Sequence, residues 1–213
     1  MQNLIKMDGA QVVGIVGSPR KNGNTEWVVR LALGIIEAEG FTTELVPLAG
    51  KTISSCQGCD TCKMTGDCAI KDDFQGIYSK ILAAQGMILG SPVYNFTATP
   101  QLISLKIRAS RMSHSTKDPR TYRSCSALEK KVGGAIVVAR RAGAVESIAA
   151  INNFFLCNEM FIAGSRYPNV AFAYDKGDVA KDTEGVANIE RFARNFAWLL
   201  KAISKFEARN PKQ

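Results

Sequence analysis

Five short apolar runs alternate along the chain with longer amphipathic segments. The runs cover residues 12–16, 43–48, 86–90, 132–139 and 160–163. The first run is almost continuously apolar, as in a parallel strand that is buried on both faces. Between the runs, apolar residues recur every three or four positions, which is the period of an amphipathic helix. This alternation predicts an α/β fold, a doubly wound five-stranded parallel sheet with helices on both faces.

Residues at the segment boundaries support this interpretation. Gly40 is expected to end the first helix, and Pro47 within the second run places that strand near the edge of the sheet. Asp72 and Asp73 are expected to begin one helix with their carboxylates at its N-terminus, and Pro100 is expected to begin the next.

The polar loop that follows the first strand, GSPRKNGNT, predicts a binding site for an anion. A helix N-terminus offers unpaired backbone N–H groups and partial positive charge, to which the loop can add side-chain donors. The loop lacks the Gly-Lys-Ser/Thr of a P-loop, and the chain has no G-x-G-x-x-G dinucleotide motif, so a terminal monophosphate is the better ligand. The alternative is that these residues only make a turn and a helix cap. The candidate donors are Ser18, Arg20, Asn22, Asn24 and Thr25.

Loops that follow different parallel strands are expected to meet at one edge of the sheet. Ligands bind there in doubly wound sheets, beyond the carboxyl ends of the strands. Residues 17–25, 91–99 and 140–144 follow the first, third and fourth strands. A ring attached to a phosphate in the first loop would therefore lie near Tyr94 and Phe96, with Arg140 and Arg141 close by. The alternative is that the two aromatic residues only pack their own loop.

Four cysteines fall within thirteen residues, in the pattern C-x-x-C-x-x-C followed, after five intervening residues, by a fourth cysteine. This compact run is typical of an iron–sulfur cluster, whereas zinc sites more often use two separated C-x-x-C pairs. A [4Fe-4S] cluster is the favoured prediction, and zinc or free regulatory thiols stay open. The candidate ligands are Cys56, Cys59, Cys62 and Cys68. Cys125 and Cys157 stand alone and are expected to be buried or half-buried thiols.

Composition indicates a globular protein, with 46% apolar and 22% charged residues. We expect one domain over residues 1–213, with a cysteine-rich loop at about residues 54–71. No apolar run approaches the roughly 18 residues that a membrane span needs, so no membrane association is expected. The absence of an N-terminal apolar segment favours a cytoplasmic location. Cysteines that stay reduced there are available for metal or redox chemistry.

The net charge of +8 is concentrated in one segment. Between residues 101 and 141 there are ten basic and two acidic residues, which accounts for the whole excess. Such a segment could attract an acidic protein, a phosphorylated ligand or nucleic acid. It contains no recognisable nucleic-acid-binding motif, so nucleic acid is not expected as a partner. A solvated basic surface or a contact between subunits explains the charge more simply.

Three motifs in a fixed order resemble those of iron–sulfur flavoproteins, within the NADPH-dependent FMN reductase family of flavodoxin-like proteins. They are GSPRKNGNT, CQGCDTCKMTGDCAIKDDF and GSPVYNF. The resemblance implies a flavodoxin-like fold, FMN, a [4Fe-4S] cluster and a homo-oligomer, either dimer or tetramer. The four clustered cysteines match the cluster ligands, and the flavin contacts match Ser18, Arg20, Asn22, Asn24, Thr25, Pro92, Val93, Tyr94, Asn95 and Phe96. Arg140 is predicted as a further flavin contact from the convergence of the loops, not from the resemblance. The loop after the fourth strand departs from the family pattern, because Arg141 is followed by Ala-Gly-Ala instead of paired glycines and Gln or Glu.

The resemblance implies a flavin-dependent oxidoreductase. Electrons would pass between flavin, cluster and a small redox carrier such as a ferredoxin, with NAD(P)H as a candidate donor. No catalytic acid–base residue is predicted, because flavin and cluster carry the chemistry. One alternative is a cluster-free NAD(P)H-dependent FMN or quinone reductase whose cysteines bind zinc or nothing. Another is a non-enzymatic flavodoxin-like module that binds an acidic partner through residues 106–131.

Overall fold

The computed structural model describes residues 11–114 and 126–210 of the chain. Strands and helices alternate over most of this length, as the apolar pattern predicts. In chain order the elements are β1 (Val12–Val16), α1 (Asn24–Ala38), β2 (Thr43–Pro47), α2 (Thr61–Thr65), α3 (Phe74–Ala83), β3 (Gly86–Pro92), α4 (Pro100–Ser113), β4 (Val132–Ala139), α5 (Ala144–Cys157), β5 (Phe161–Ile162), β6 (Val170–Phe172), a 3₁₀ turn (Asp178–Lys181) and α6 (Thr183–Arg209).

The strands form one parallel sheet in the order β2-β1-β3-β4-β5, with β6 also paired to β4. The register aligns Val12 with Thr43 on one side and with Gly86 on the other. β2 lies at the edge of the sheet, as the proline within it predicts. The α/β fold with a doubly wound parallel sheet is thus confirmed, and the order places the carboxyl ends of β1, β3 and β4 side by side.

The fifth position of the sheet differs from the prediction, because two short strands share it. β5 pairs with Val132 and Gly133 at the start of β4, whereas β6 pairs with Val137–Ala139 at its end. Residues 164–168 leave the sheet between them, since Ala163 and Asn169 still make backbone hydrogen bonds with β4. A three-residue strand carries too little apolar pattern to be recognised, so the sequence predicts a loop where β6 lies.

Two apolar clusters cover the two faces of the sheet. Residues of α3, α4 and α5 pack on one face, and residues of α1 and α6 pack on the other. Side chains alternate between the faces along β1, where Val13 and Ile15 join the first cluster and Val12 and Val16 the second. This arrangement confirms that β1 is buried on both sides.

The start of α3 differs in detail from the prediction. Asp72 Oδ1 accepts a hydrogen bond from the Phe74 N–H, at 3.0 Å, as expected of a residue before a helix. Asp73 occupies the N-cap position, but its carboxylate accepts the N–H of Thr52, at 2.8 Å. Asp73 therefore ties the preceding segment to the helix instead of capping it.

Within the described residues, no helix has both the length and the apolar character needed to cross a membrane.

Candidate functional site

The loop between β1 and α1 is built around a buried carboxylate. Glu26 is only 3% exposed, and its Oε2 accepts the backbone N–H of Asn22 at 2.8 Å. Asn22 itself has a left-handed backbone, with φ of 51°. Arg30, one turn further along α1, pairs with Glu26 at 2.8 Å. The sequence did not reveal Glu26, because an acidic residue in the first turn of a helix is ordinarily explained by the helix dipole.

Further contacts hold this loop against the sheet. The Gly17 N–H donates to the Gly90 carbonyl at 2.7 Å, and the Thr99 hydroxyl donates to the Gly17 carbonyl at 2.7 Å. The Ser18 hydroxyl accepts the Arg20 N–H at 3.2 Å. Gly23 at the N-cap of α1 has no side chain to cover the helix end. The backbone N–H groups of the first turn therefore face a preformed polar loop.

The loop after β3 makes a tight turn at the same edge. Tyr94 and Thr97 exchange backbone hydrogen bonds of 2.8 and 3.0 Å. The two residues between them, Asn95 and Phe96, have φ of 46° and 63°, as a type I′ turn requires. Gly143, at the start of α5, packs beneath this turn, since an added Cβ would lie 2.8 Å from the Phe96 Cα. The turn leaves both aromatic rings partly exposed, Tyr94 by 40% and Phe96 by 60%.

One cavity of about 310 Å³ joins these loops, and we call it the edge cavity. Its walls combine apolar groups such as Val93 and Val138 with the donors of the first loop, which suits a flat ring that carries a phosphate. Asn22, Asn95 and Phe96 belong to the same loops but do not line the cavity. The predicted flavin contacts that do line it are Ser18, Arg20, Asn24, Thr25, Pro92, Val93, Tyr94 and Arg140.

The segment after β6 also lines the edge cavity, and the sequence did not predict it. Asn24 attaches this segment to α1, since its side chain donates to the Asp175 carbonyl and accepts the Gly177 N–H, both at 2.8 Å. The Arg140 guanidinium lies 4.1 Å from the centre of the Tyr174 ring. The polar stretch after Val170–Phe172 would have been the signal, had that strand been recognised. Asn24 is thus engaged in building the cavity wall.

The four clustered cysteines line a second, smaller pocket, which we call the cysteine pocket. The chain turns tightly around it, because Gly58, Asp60 and Gly66 all have left-handed backbones. α2 is a five-residue helix inside this loop and was not predicted. Among the described residues, no three His, Cys, Asp or Glu side chains lie close enough together to hold one metal ion.

The cysteines differ in exposure. Cys59 is exposed, whereas Cys56, Cys62 and Cys68 are half-buried. Hydrogen bonds from the Thr61 hydroxyl and backbone N–H lower the pKa of the Cys59 thiol below its ordinary value. Lowering the thiol pKa favours the thiolate, which is the form that binds metal.

A buried ion pair closes the base of the cysteine loop. The Arg108 guanidinium lies 2.7 Å from the Asp72 carboxylate, and both side chains are nearly inaccessible to solvent, at 1% and 6% exposed. Burial alone would raise the pKa of Asp72, but hydrogen bonds from Arg108 and from the backbone N–H groups of Ser54 and Phe74 outweigh it and lower that pKa. The carboxylate therefore stays ionised opposite the guanidinium.

The basic segment is only partly described, because residues 115–125 fall outside the described ranges, Cys125 among them. Two of its cations do not form a solvated surface. Arg108 is buried, and Lys106 donates to the Ala150 carbonyl at 2.5 Å. Burial lowers the pKa of Lys106 to about 8. Cys157, expected to be buried or half-buried, is exposed at the end of α5.

A flavodoxin-like sheet with a polar loop and a cavity at its carboxyl edge defines the class of protein. Solved structures support the fold. The chain superimposes on a WrbA-like flavodoxin from Agrobacterium tumefaciens with a TM-score of 0.60 and 12% identity, covering 91% of this chain and 99% of that one. It superimposes on RosB, solved with a bound 8-demethyl-8-formylriboflavin-5'-phosphate intermediate, with a TM-score of 0.71 and 15% identity, covering 92% and 81%.

The family follows from sequence comparison. Residues 10–175 match the family described as NADPH-dependent FMN reductase, and the chain belongs to that family. An iron–sulfur flavoprotein of Methanocaldococcus jannaschii is 37% identical over 202 residues, covering 92% of this chain and 100% of that protein. The predicted resemblance is confirmed, and the protein is a flavin-dependent oxidoreductase. The alternative prediction, a non-enzymatic flavodoxin-like module, is therefore wrong.

Proposed function

We propose that this oxidoreductase binds FMN in the edge cavity and a [4Fe-4S] cluster in the cysteine pocket, and passes electrons between them and a small redox carrier. The observation that carries the proposal is the convergence of Cys56, Cys59, Cys62 and Cys68 on one pocket. Four cysteine thiolates are the usual donor set of an iron–sulfur cube, and each binds a different iron, so they need not be close enough to share one ion. The flavin relatives that share this chain's fold support the other half.

In the edge cavity the residues present fit FMN. The hydroxyls of Ser18 and Thr25, the Arg20 guanidinium and the first-turn N–H groups of α1 would hold the phosphate. Tyr94 and the apolar wall formed by Pro92 and Val93 would lie against the ring. Flavin supplies two-electron chemistry and a [4Fe-4S] cluster supplies one-electron transfer when bound, so the pair can connect two-electron and one-electron partners.

The protein contributes position and charge to this chemistry. Arg140 reaches the edge cavity from the end of β4 and adds positive charge beside a ring that becomes more negative on reduction. We infer NAD(P)H as the two-electron donor. We infer a ferredoxin-like acidic carrier as the one-electron partner, because the chain has a net charge of +8. A homo-oligomer is part of the proposal, since subunit contact would let neighbouring flavin and cluster sites communicate.

The cluster half of the proposal is tested by replacing one predicted ligand. Cys62→Ser is expected to remove most of the iron while FMN stays bound, because Cys62 lines the cysteine pocket and not the edge cavity. Cys157→Ser is the matched control, since Cys157 is a free, exposed thiol outside both pockets. Iron, labile sulfide and FMN are measured on protein purified without oxygen.

Equal iron in both variants, or loss of FMN with the iron in Cys62→Ser, would contradict the assigned ligands. Zinc in place of iron would favour the other candidate, a cluster-free NAD(P)H-dependent FMN or quinone reductase.

A further inference from the structure

Arg108 is the largest fully buried side chain of the described residues, at 1% exposed, and it lies beside the cysteine pocket. A cluster that is held by four cysteines does not by itself require this cation. We propose that Arg108 is a positioning residue that closes the cysteine loop, orients Cys68 through a hydrogen bond to its sulfur, and raises the reduction potential of the cluster. This inference rests on the proposed function, because it concerns the same cluster.

The guanidinium joins segments on both sides of the cysteine loop. Nη1 donates to both carboxylate oxygens of Asp72, at 2.9 and 2.7 Å, and to the Ser54 carbonyl at 3.2 Å. Nη2 donates to the Ile70 carbonyl at 2.9 Å and to Cys68 Sγ at 3.3 Å. Ser54 precedes the first cysteine and Asp72 follows the last. One side chain therefore fixes the entry and exit of the loop and contacts one of its predicted ligands.

The orientation of the guanidinium is fixed from a second direction. Its central carbon lies 4.1 Å from the centre of the Phe74 ring, a cation–π contact. Both terminal nitrogens donate to the loop, whereas Nε is buried with no hydrogen-bond partner in the described part of the chain. Burying a cation in this way is costly unless it is paired, and Asp72 supplies the pairing charge. Because Asp72 neutralises Arg108, the hydrogen bond to Cys68 is the specific effect on the cluster.

The chemistry of the guanidinium explains why the residue is arginine. Its planar fork offers five donors in fixed directions, so it can serve a carboxylate, two carbonyls and a sulfur together. A lysine ammonium at the same place keeps the charge, but it is a single nitrogen on a shorter reach. The replacement Arg108→Lys therefore separates the hydrogen-bond geometry from the charge.

A donor to a ligating sulfur withdraws electron density from the cluster. The reduced cluster carries one more electron than the oxidised cluster, so the hydrogen bond stabilises it more and raises the potential. Loss of the bond is expected to shift the potential in the negative direction.

Arg194 provides a control outside both pockets. It lies on α6, its side chain is 57% exposed, and it pairs with Glu190 one turn earlier on the same helix. Arg194→Lys therefore makes the same chemical change, with the positive charge kept, at a position that lines neither the cysteine pocket nor the edge cavity.

The experiment compares wild-type protein, Arg108→Lys and Arg194→Lys, all purified without oxygen. Iron, labile sulfide and FMN per subunit are measured, followed by the cluster potential from a redox titration monitored by electron paramagnetic resonance. We expect Arg108→Lys to keep FMN and either to lose iron or to hold a cluster of more negative potential. Arg194→Lys is expected to match the wild type in all four quantities.

An Arg108→Lys protein with wild-type iron content and potential overturns this inference alone. So does an equal shift in Arg194→Lys, which would show that the shift does not depend on the hydrogen bond to Cys68. Loss of FMN together with iron in Arg108→Lys would make Arg108 a residue of the fold and also overturn the inference. A wild-type protein without iron would instead overturn the proposed function.

Discussion

Glu26 shows how one buried carboxylate can shape a ligand loop. It accepts the N–H of Asn22, whose left-handed backbone turns the chain toward α1. Removing that acceptor would take away a hydrogen bond to a charged group, which contributes about 1.5–3 kcal/mol. The loop that would hold the phosphate therefore depends on a residue that does not line the edge cavity.

Glu26→Ala is expected to weaken FMN binding by about tenfold, since about 1.4 kcal/mol of lost loop preorganisation corresponds to a factor of ten in Kd. Glu37→Ala, which removes an exposed carboxylate from the far end of the same helix, is the control and is expected to leave Kd unchanged. Fluorescence titration of flavin-free protein with FMN measures both. Unchanged or tighter binding in Glu26→Ala would contradict the role assigned to this residue.

At the residue scale, the sequence predicts which polar residues lie in the loop better than it predicts what each side chain bonds to. Ser18 and Thr25 line the edge cavity, as predicted for phosphate donors. Asn24, predicted for the same role, instead uses its side-chain amide oxygen and nitrogen to bond residues 175–177. That contact joins residues about 150 positions apart, and no local pattern indicates it. The ion pair of Asp72 and Arg108 escaped prediction for the same reason.

At the element scale, two glycines differ in how closely other elements pack against them, and one of them shows how closely α6 lies on the sheet. An added Cβ at Gly134 in β4 would lie 2.2 Å from the Phe192 ring of α6. By contrast, Gly34 in α1 has open space around it, with nothing within 4 Å of an added Cβ. Replacing glycine by alanine therefore creates a steric clash at Gly134 in β4 and favours the helix at Gly34 in α1.

Gly134→Ala is expected to destabilise the protein by about 1–3 kcal/mol, because a packed core must shift to admit the methyl group. Gly34→Ala is expected to stabilise it by about 0.5–1 kcal/mol, because alanine loses less backbone entropy than glycine in a helix. Chemical denaturation of the flavin-loaded proteins should therefore move the midpoint in opposite directions. A shift of the same sign in both would contradict this packing.

Long, regular elements could be predicted from the sequence, and short ones could not. The run over residues 132–139 corresponds to β4, and the periodic segments correspond to the long helices. α2 and β6, with five and three residues, are shorter than the periods on which prediction depends. Their positions are set by tertiary contacts, namely the tight turns around the cysteines and the pairing of β6 with Val137–Ala139.

Over the whole molecule, α4 connects the two candidate cofactor sites. The helix begins beside the first loop, where the Thr99 hydroxyl donates to the Gly17 carbonyl. Leu102 packs so closely here that a Cβ added at Gly17 would lie 2.9 Å from the Leu102 Cβ. Nine residues beyond Thr99, Arg108 reaches the cysteine pocket, a rise of about 14 Å along the helix. A single helix thus lines the cysteine pocket and contacts the start of the loop that lines the edge cavity.

The most direct test of this account is the amount of iron, labile sulfide, zinc and FMN per subunit in wild-type protein purified without oxygen. We predict one FMN with about four iron and four sulfide, the content of one [4Fe-4S] cluster. One FMN with zinc, or with no metal, would contradict the proposed electron transfer through the cysteine pocket. The protein would then be an FMN-dependent reductase without a cluster.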